Sequence, residues 1–353
     1  MKSHILTIVI PTFNRSQRLA KNLECAHGEI CRSNLENKIG ILISDNNSSD
    51  DTQVISRMYG EKFINSGIDF EYFQNQSNLG FSSNVIESYF RAKSEYSLFF
   101  SDDDNLNAGF LQQLISDINQ YKFSAGIYNF IQPPYGEDNL LIKESRLFVG
   151  EQAIGDLASL VKWPKLSGLV LRNIRKPGRY EKIKNQITPN NVVGHVLLTI
   201  DQIRHDPILF KSSTVAAYPD QDFRDHVNFV SYIGNYIKRD VGEYCARVGI
   251  ENSYLMSAIE EIPSRNVVLC SLQTLSLFYK SQTKLSQKMK QEVFRNIFSY
   301  LIGSHLSDKG LFLERPYRSI PRIKTLFYLF YLAGLALKAR ISRKKLYLMN
   351  EAF

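Results

Sequence analysis

Short apolar runs alternate with amphipathic segments over the first hundred residues of the chain. The predicted strands, rich in β-branched and aromatic residues, are residues 5–10, 39–43, 70–73 and 96–100. The predicted helices between them are residues 16–23, 52–59 and 82–93. Because strands and helices alternate at this spacing, the pattern indicates βαβ crossovers and predicts an α/β fold with a mostly parallel sheet flanked by helices.

Three polar clusters follow strands of this predicted sheet, at residues 11–15, 45–50 and 101–104. Crossover connections place the carboxyl ends of parallel strands at one edge of the sheet, where such folds bind their ligands. We therefore expect the three clusters to lie together and to form a binding site.

The second half of the chain has a different pattern. Residues 111–235 mix short apolar and polar segments, whereas apolar positions recur at helical spacing in residues 267–278 and 293–301. The pattern predicts an α/β domain over residues 1–235 and a helical region over residues 236–353.

Composition narrows the class of protein. Hydrophobic residues make up 44% of the chain and charged residues 22%, which excludes a disordered chain and a bundle of membrane helices. The four cysteines form no Cys-x-x-Cys pair, so we expect a reducing compartment and neither a zinc site nor a redox site. Residues 1–11 lack a small-residue cleavage site, and no signal peptide is expected.

The net charge of +8 is concentrated at the C-terminal end. Residues 315–353 contain nine Lys or Arg and one Glu, so the rest of the chain is neutral overall and nucleic-acid binding by charge is excluded. Residues 325–337 are uncharged, but a spanning helix needs roughly 17–25 residues. Basic residues on both sides of this stretch predict a tail that lies on an anionic membrane surface. The alternative is a helix packed on the rest of the protein or on a second copy.

Three consecutive carboxylates, Asp102, Asp103 and Asp104, follow the last predicted strand of the first half. Such carboxylates repel one another unless a cation or hydrogen-bond donors hold them, and Mg²⁺ and Mn²⁺ favour oxygen ligands of this kind. The alternative is a solvated acidic turn that caps a helix beginning near Ala108.

The polar cluster at residues 45–50 also has two interpretations. Asn, Asp and Ser are common in turns, and Asp50 or Asp51 at its end is suited to capping the helix that follows. In the functional interpretation, Asp45 accepts hydrogen bonds from the base or ribose of a nucleotide.

Four motifs, taken together and in this order, resemble the GT-A fold glycosyltransferases of family 2. They are residues 9–15, 43–50, 78–84 and 99–106. The resemblance covers residues 3–115, and its details are most similar to the abequosyltransferase and rhamnosyltransferase-like branch that builds bacterial surface polysaccharides. It implies that residues 1–110 bind a nucleotide-sugar and that residues 111–235 face the acceptor.

The resemblance also implies the residues of the donor site. The residues that would contact the donor nucleotide are Pro11, Thr12, Phe13, Arg15, Asp45, Asn78, Gly80, Asn84 and Asp102. The aspartate run would be the family's Asp-x-Asp motif, with Asp103 and Asp104 holding Mn²⁺ or Mg²⁺. Aligned on the strand, Ser101 takes the place of the family's first aspartate and leaves Asp103 as the metal ligand. The other register uses Asp102 and Asp104.

The family's catalytic base is usually an aspartate of a Glu-Asp pair, which this sequence lacks at the corresponding place in residues 188–201. The candidates for the base that activates the acceptor hydroxyl are His195, Asp201, Asp220 and Asp222. Trp163 and Gly168 are the candidates for acceptor contacts, since an aromatic ring stacks on the apolar face of a sugar. For both His195 and Trp163 the alternative is an ordinary structural role.

The resemblance implies an inverting, metal-dependent glycosyltransferase, and the basic tail places it at the cytoplasmic face of the cell membrane. Its donor would be a UDP-, GDP-, CDP- or dTDP-sugar, and its acceptor a glycan such as O-antigen, lipopolysaccharide or capsule, linked to undecaprenyl diphosphate. One alternative is a nucleotidyltransferase, which would normally carry a glycine-rich phosphate loop with Lys or Arg after the first strand, where residues 11–15 contain no glycine. The other is an inactive glycan- or membrane-binding module. The helical C-terminal region is compatible with a homo-oligomer as well as with a membrane contact.

Overall fold

The first four strands form a parallel sheet, as the pattern of the sequence predicts. They are β1 (Leu6–Thr12), β2 (Ile39–Asp45), β3 (Asp69–Gln74) and β4 (Tyr96–Phe99). Leu6 of β1 pairs with Ile39 of β2 and with Tyr96 of β4. Every residue of β1 and β2 is buried, as is usual for parallel strands covered on both faces. This structure, a computed structural model, describes residues 4–131, 140–162, 165–187, 191, 193–219 and 238–260.

Three helices alternate with these strands. They are α1 (Ser16–Arg32), α2 (Thr52–Asn65) and α3 (Phe81–Arg91). The predicted helix at residues 16–23 continues to Arg32 because Ala26 and Ile30 extend the buried stripe that Leu19 and Leu23 begin.

The second half of the described chain completes the same sheet. Its elements are β5 (Asp104–Leu106), α4 (Phe110–Tyr121), β6 (Ala125–Phe130), β7 (Arg146–Val149), α5 (Glu151–Asp156), α6 (Ala158–Lys162), β8 (Leu169–Arg172), α7 (Arg179–Gln186), α8 (Gly194–His205), β9 (Ile208–Pro219), α9 (Lys238–Val248) and α10 (Ser253–Glu260). The strand order is β3-β2-β1-β4-β8-β6-β9-β5, and β7 pairs with β9.

The sheet is parallel in its first half and mixed in its second. Strand β8 runs antiparallel to both β4 and β6, and β5 runs antiparallel to β9. The sequence predicts the parallel half because a helix lies between each two consecutive strands there. An apolar run such as β8 carries no signal for its direction.

Several predicted segments lie outside the described residues. They are the helical stretches at 267–278 and 293–301 and the basic tail at 315–353. Over the described ranges, no helix is long and apolar enough to cross a membrane.

Candidate active site

The end of β1 and the aspartate run meet at the carboxyl edge of the sheet. Thr12 Oγ1 donates a 2.7 Å hydrogen bond to Asp102 Oδ2. One guanidinium nitrogen of Arg15 lies 3.0 Å from Asp102 Oδ1 and 3.0 Å from Asp103 Oδ2, and Arg18 lies 3.4 Å from Asp103 Oδ2. Two of the three predicted polar clusters therefore form one network of opposite charges.

Neighbouring side chains fix the backbone of the aspartate run. Asn22 Nδ2 of α1 donates to the carbonyl oxygens of Ser101 at 2.9 Å and Asp104 at 2.6 Å. Ser167 Oγ accepts from the Ser101 amide at 2.9 Å and donates to Asp104 Oδ2 at 2.5 Å. The Ser101 hydroxyl, in turn, donates to Asp103 Oδ1. These contacts order the backbone and the carboxylates of the run.

Two carboxyl groups of the aspartate run, those of Asp102 and Asp104, have raised pKa values. Burial raises the pKa of Asp102 to about 6, although Arg15 opposes the shift. Burial and the adjacent charge of Asp103 raise the pKa of Asp104 to about 6, against the opposing effects of Lys165 and Ser167. The folded protein thus disfavours full ionisation of the run, which is the electrostatic condition that a bound cation would relieve.

The chemistry of the run fits a divalent cation held mainly by one carboxylate. The Asp103 side chain is 27% exposed and that of Asp102 only 4%, so Asp103 is the more accessible of the two carboxylates, and contact of Asp102 with the nucleotide stays a prediction. No group of three His, Cys, Asp or Glu side chains suited to a metal occurs among the described residues. Mg²⁺ and Mn²⁺ sites of one or two carboxylates completed by substrate phosphates need no such group.

Asp45 is fully buried, and both of its carboxylate oxygens accept hydrogen bonds. Oδ1 accepts from the amide and the hydroxyl of Ser48, at 2.9 and 2.6 Å. Oδ2 accepts from the Tyr72 hydroxyl at 2.6 Å. In this state Asp45 shapes the loop after β2, and its contact with a nucleotide base stays a prediction.

Asparagines, all buried except Asn78, connect the loops after β2 and β3 to α3. Asn46 Nδ2 donates to Asn78 Oδ1 at 2.8 Å, and Asn75 Nδ2 donates to Asn84 Oδ1 at 2.8 Å. Asn84 Nδ2 donates to the Ser44 carbonyl at 2.9 Å. Asn78, together with Asn84, therefore holds the wall of the predicted donor pocket in place.

The loops after β1 and β2 are also joined. Asn14 has a left-handed φ of 52°. Its side-chain Oδ1 accepts a hydrogen bond from the backbone amide of Ser49 at 2.8 Å, and its backbone amide donates to Ser48 Oγ at 2.8 Å. Pro11 and Thr12 are the last buried residues of β1, and the next side chain, Phe13, is 40% exposed at this edge. Phe13 thus presents an aromatic surface beside the polar network.

His195 lies at the start of α8, against the start of α3. The Gly194 amide donates to Ser82 Oγ at 2.9 Å, and a Cβ atom at Gly194 would lie only 2.6 Å from Ser82 Cβ. The His195 ring, buried at 1% exposure, meets the ring of Phe81 edge to face with centroids 5.7 Å apart. Phe81 follows Gly80, whose φ of 78° turns the chain into α3.

Asp201, two turns further along α8, belongs to a buried ion pair. Its Oδ2 lies 2.9 Å from Nη2 and 3.2 Å from Nε of Arg179, and its Oδ1 lies 3.5 Å from the Tyr244 hydroxyl. His205 also contacts this carboxylate, at 3.5 Å. These contacts give Asp201 a structural role as the buried ion-pair partner of Arg179. A role in proton transfer stays a prediction.

Gly168 immediately precedes β8, at a position where the backbone conformation and a close neighbour both require glycine. Its φ is 85°, and a Cβ atom there would lie 2.9 Å from the Tyr128 carbonyl oxygen. A cavity of about 30 Å³, near the size of one water, lies beside it and is lined by Lys165, Ser167 and Asn129 among others. Trp163, Asp220 and Asp222 lie outside the described residues.

Comparison with known proteins finds a family match in the first half of the chain. The sequence model of Glycosyl transferase family 2 matches residues 7–169, which contain the whole of the Thr12–Arg15–Asp103 network. The chain carries a glycosyl transferase family 2 domain. Its fold is GT-A: the structure of S. aureus TarS 1-349 in complex with UDP-GlcNAc superposes with a TM-score of 0.50 at 13% identity, over 88% of this chain and 93% of that one.

A curated relative of the family 2 domain comes from Campylobacter jejuni. It is named GalNAc(5)-diNAcBac-PP-undecaprenol beta-1,3-glucosyltransferase and is 29% identical over 116 residues. The matched segment is 33% of this chain and spans only 35% of the relative's length.

Sequence reasoning found the ends of the strands in the family 2 domain but missed the residues that support them. Asn22 and Ser167, each far from the aspartate run in sequence, hold its backbone and its last carboxylate. Arg18 was also missed, although its spacing of three residues from Arg15 places both on one side of a helix start. Of the predicted base candidates, His195 and Asp201 lie beyond the residues that the family model matches.

Proposed function

We propose that the protein is an inverting glycosyltransferase that moves a sugar from a nucleoside diphosphate donor to a lipid-linked glycan. The observation that carries this proposal is the network in which Thr12, Arg15 and Arg18 converge on Asp102 and Asp103 within a family 2 domain. Such a network offers guanidinium groups and a carboxylate for a metal ion at the same edge, which suits a diphosphate.

The reaction needs the donor's diphosphate to be stabilised as the sugar leaves it. Asp103 would hold Mg²⁺ or Mn²⁺, with Asp104 beside it, and the cation would supply positive charge to the leaving diphosphate. Arg15 would bind the diphosphate directly. Phe13, on the exposed edge, would cover the nucleotide, and Asn78, Gly80 and Asn84 would keep the loop of the pocket in place.

The acceptor hydroxyl needs a base on the opposite side of the sugar. We place His195 first among the candidates because it lies beside Phe81 at the start of α3, next to the predicted donor loop. Asp201 is engaged by Arg179, and Asp222 is the third candidate. Trp163 and Gly168 would contact the acceptor.

The acceptor class is supported by the curated relative, whose name specifies a glycan on undecaprenyl diphosphate. An undecaprenyl carrier resides in the membrane, so the basic residues of the 315–353 segment would keep the enzyme on the cytoplasmic surface. Deletion of residues 315–353 should then release the protein from vesicles of anionic lipid in sedimentation assays. Retention of the truncated protein on these vesicles would contradict the membrane role of the tail.

The proposed activity is tested by measuring release of nucleoside diphosphate from a panel of UDP-, GDP-, CDP- and dTDP-sugars with Mn²⁺. One donor should be consumed by the full chain in the presence of an undecaprenyl diphosphate-linked glycan, and Asp103→Asn should reduce that rate at least a hundredfold. Asp69→Asn, a matched change at a 60% exposed carboxylate, should leave it unchanged. Consumption of none of the donors would favour the inactive binding module, and release of pyrophosphate from a nucleoside triphosphate would favour the nucleotidyltransferase.

A further inference from the structure

Two arginines share one carboxylate oxygen at the start of α1. Asp103 Oδ2 lies 3.0 Å from Arg15 and 3.4 Å from Arg18, and Asp103 Oδ1 accepts from the Ser101 hydroxyl. We propose that Arg18 is a second diphosphate-binding residue, which Asp103 holds in place until a divalent cation takes that carboxylate. This inference rests on the proposed function.

The arginines and a cation compete for one oxygen of Asp103, Oδ2. A carboxylate oxygen offers two lone pairs, and the two guanidinium groups use both of those on Oδ2. A cation that coordinates Oδ2 therefore displaces at least one guanidinium group.

The geometry selects Arg18 as the group that moves. Arg15 has a second anchor, because the same nitrogen that reaches Asp103 also lies 3.0 Å from Asp102 Oδ1. The Arg18 contact with Asp103 is longer, at 3.4 Å, and it joins two side chains that are 20% and 27% exposed. Arg18 is thus less tightly tied to the two aspartates than Arg15 is.

Charge gives the displaced guanidinium a destination. Three carboxylates and two guanidinium groups give this cluster one net negative charge, which Lys165 near Asp104 offsets, and a divalent cation makes the cluster positive. The diphosphate of a nucleotide-sugar carries about two negative charges, and guanidinium groups bind phosphate oxygens in a planar, bidentate manner. Arg18 would therefore pass from Asp103 to the diphosphate, on the same edge of the sheet.

This exchange predicts a coupling between the two ligands that depends on Arg18. Without nucleotide, Arg18 competes with the cation, and with nucleotide it adds a contact to the diphosphate. Its removal should therefore tighten binding of the cation alone and weaken binding of the nucleotide. A residue that merely ordered Asp103 would shift both affinities in the same direction.

The test is calorimetric titration of the full chain and two variants, Arg18→Gln and Arg146→Gln. Arg146 pairs with Glu144 at 3.0 Å on β7 and provides the same change of residue and charge. Arg146 pairs with Lys211 of β9, whereas Asp104 pairs with Pro219 of the same strand. Lys211 and Pro219 are eight positions apart, so Arg146 lies about 25 Å along β9 from the aspartates. The probes are Mn²⁺ alone, and UDP, GDP, CDP and dTDP in the presence of Mn²⁺.

Arg18→Gln should bind Mn²⁺ alone at least threefold more tightly and the preferred nucleoside diphosphate at least tenfold more weakly than the wild type. Arg146→Gln should match the wild type in both. Arg18→Lys keeps the charge but not the fork, and should retain the wild-type affinity for Mn²⁺ with weakened nucleotide binding.

Two results overturn the inference separately from the proposed function. If the wild type binds a nucleoside diphosphate with Mn²⁺ and Arg18→Gln has the same two affinities, Arg18 takes no part in the exchange. If Arg18→Gln is folded by circular dichroism but binds both Mn²⁺ and the nucleoside diphosphate more weakly than the wild type, Arg18 only orders Asp103. Failure of the wild type to bind any of the four nucleotides would instead contradict the proposed function, and the exchange with it.

Discussion

Thr12 Oγ1 donates a 2.7 Å hydrogen bond to Asp102 Oδ2, a residue 90 positions later in the chain. Both side chains are buried at the carboxyl edge of the sheet, where β1 ends and β4 has just ended. Because a buried carboxylate is costly unless its oxygens are engaged, this bond both stabilises the aspartate run and links it to the loop that begins at Phe13.

Thr12→Val removes this hydrogen bond with little change of shape. The variant should lose about 1–3 kcal/mol of the free energy of unfolding, since a hydrogen bond to a charged group is lost and Asp102 stays buried. Urea denaturation at pH 7.5 measures this loss. Thr12→Ser keeps the hydroxyl and should lose less, and equal stability of the wild type and the Val variant would show that the bond contributes nothing.

Asn84→Ala tests the asparagine network behind the donor loop. The Asn84 amide accepts from Ser44 Oγ at 2.7 Å and from Asn75 at 2.8 Å, and its removal leaves these partners buried without it. We expect a loss of about 2–3 kcal/mol in the free energy of unfolding and weaker nucleotide binding. Gln112→Ala, at an exposed position of α4, should change stability by less than about 0.5 kcal/mol. A neutral Asn84→Ala variant would contradict a structural role for the network.

Asp201→Ala separates packing from proton transfer. Arg179, which is 7% exposed, would lose its carboxylate partner, and an uncompensated buried charge costs about 3–5 kcal/mol. We therefore expect a large drop in the midpoint of thermal unfolding. Asp201→Asn should retain part of the stability through hydrogen bonds to Arg179. An Asn variant of unchanged stability that has lost all transfer would instead identify Asp201 as the base.

Asp104→Asn tests the raised pKa of the aspartate run in the metal-free protein. Burial and Asp103 raise the pKa of Asp104 from 3.8 to about 6, so ionisation of Asp104 favours the unfolded chain as the pH rises through this interval. Asn is neutral and can still accept from Ser167. The variant should be more stable than the wild type at pH 8, and this advantage should shrink as the pH falls towards 4. An advantage that is independent of pH would contradict the raised pKa.

The sequence predicts the parallel half of the sheet because β1 and β2 are buried on both faces and carry continuous apolar runs. It also predicts that the polar residues after them converge, as Thr12 and Asp102 do. The partners Asn22 and Ser167 could not be found in this way, because a single Asn in a helix and a single Ser in a loop carry no pattern. The antiparallel direction of β8 was likewise unmarked, since it depends on how the chain returns to the sheet.

The central claim is that this edge of the sheet binds a nucleoside diphosphate together with a divalent cation. The most direct measurement is the thermal stability of the wild type and of Asp103→Asn with UDP, GDP, CDP or dTDP, each with and without Mn²⁺. A nucleotide at 100 times its dissociation constant should add about 2.7 kcal/mol to the stability of the folded protein. We predict that one nucleotide raises the midpoint of the wild type only with Mn²⁺ and does not raise that of Asp103→Asn. No shift with any nucleotide, or an equal shift in both proteins, would contradict the account.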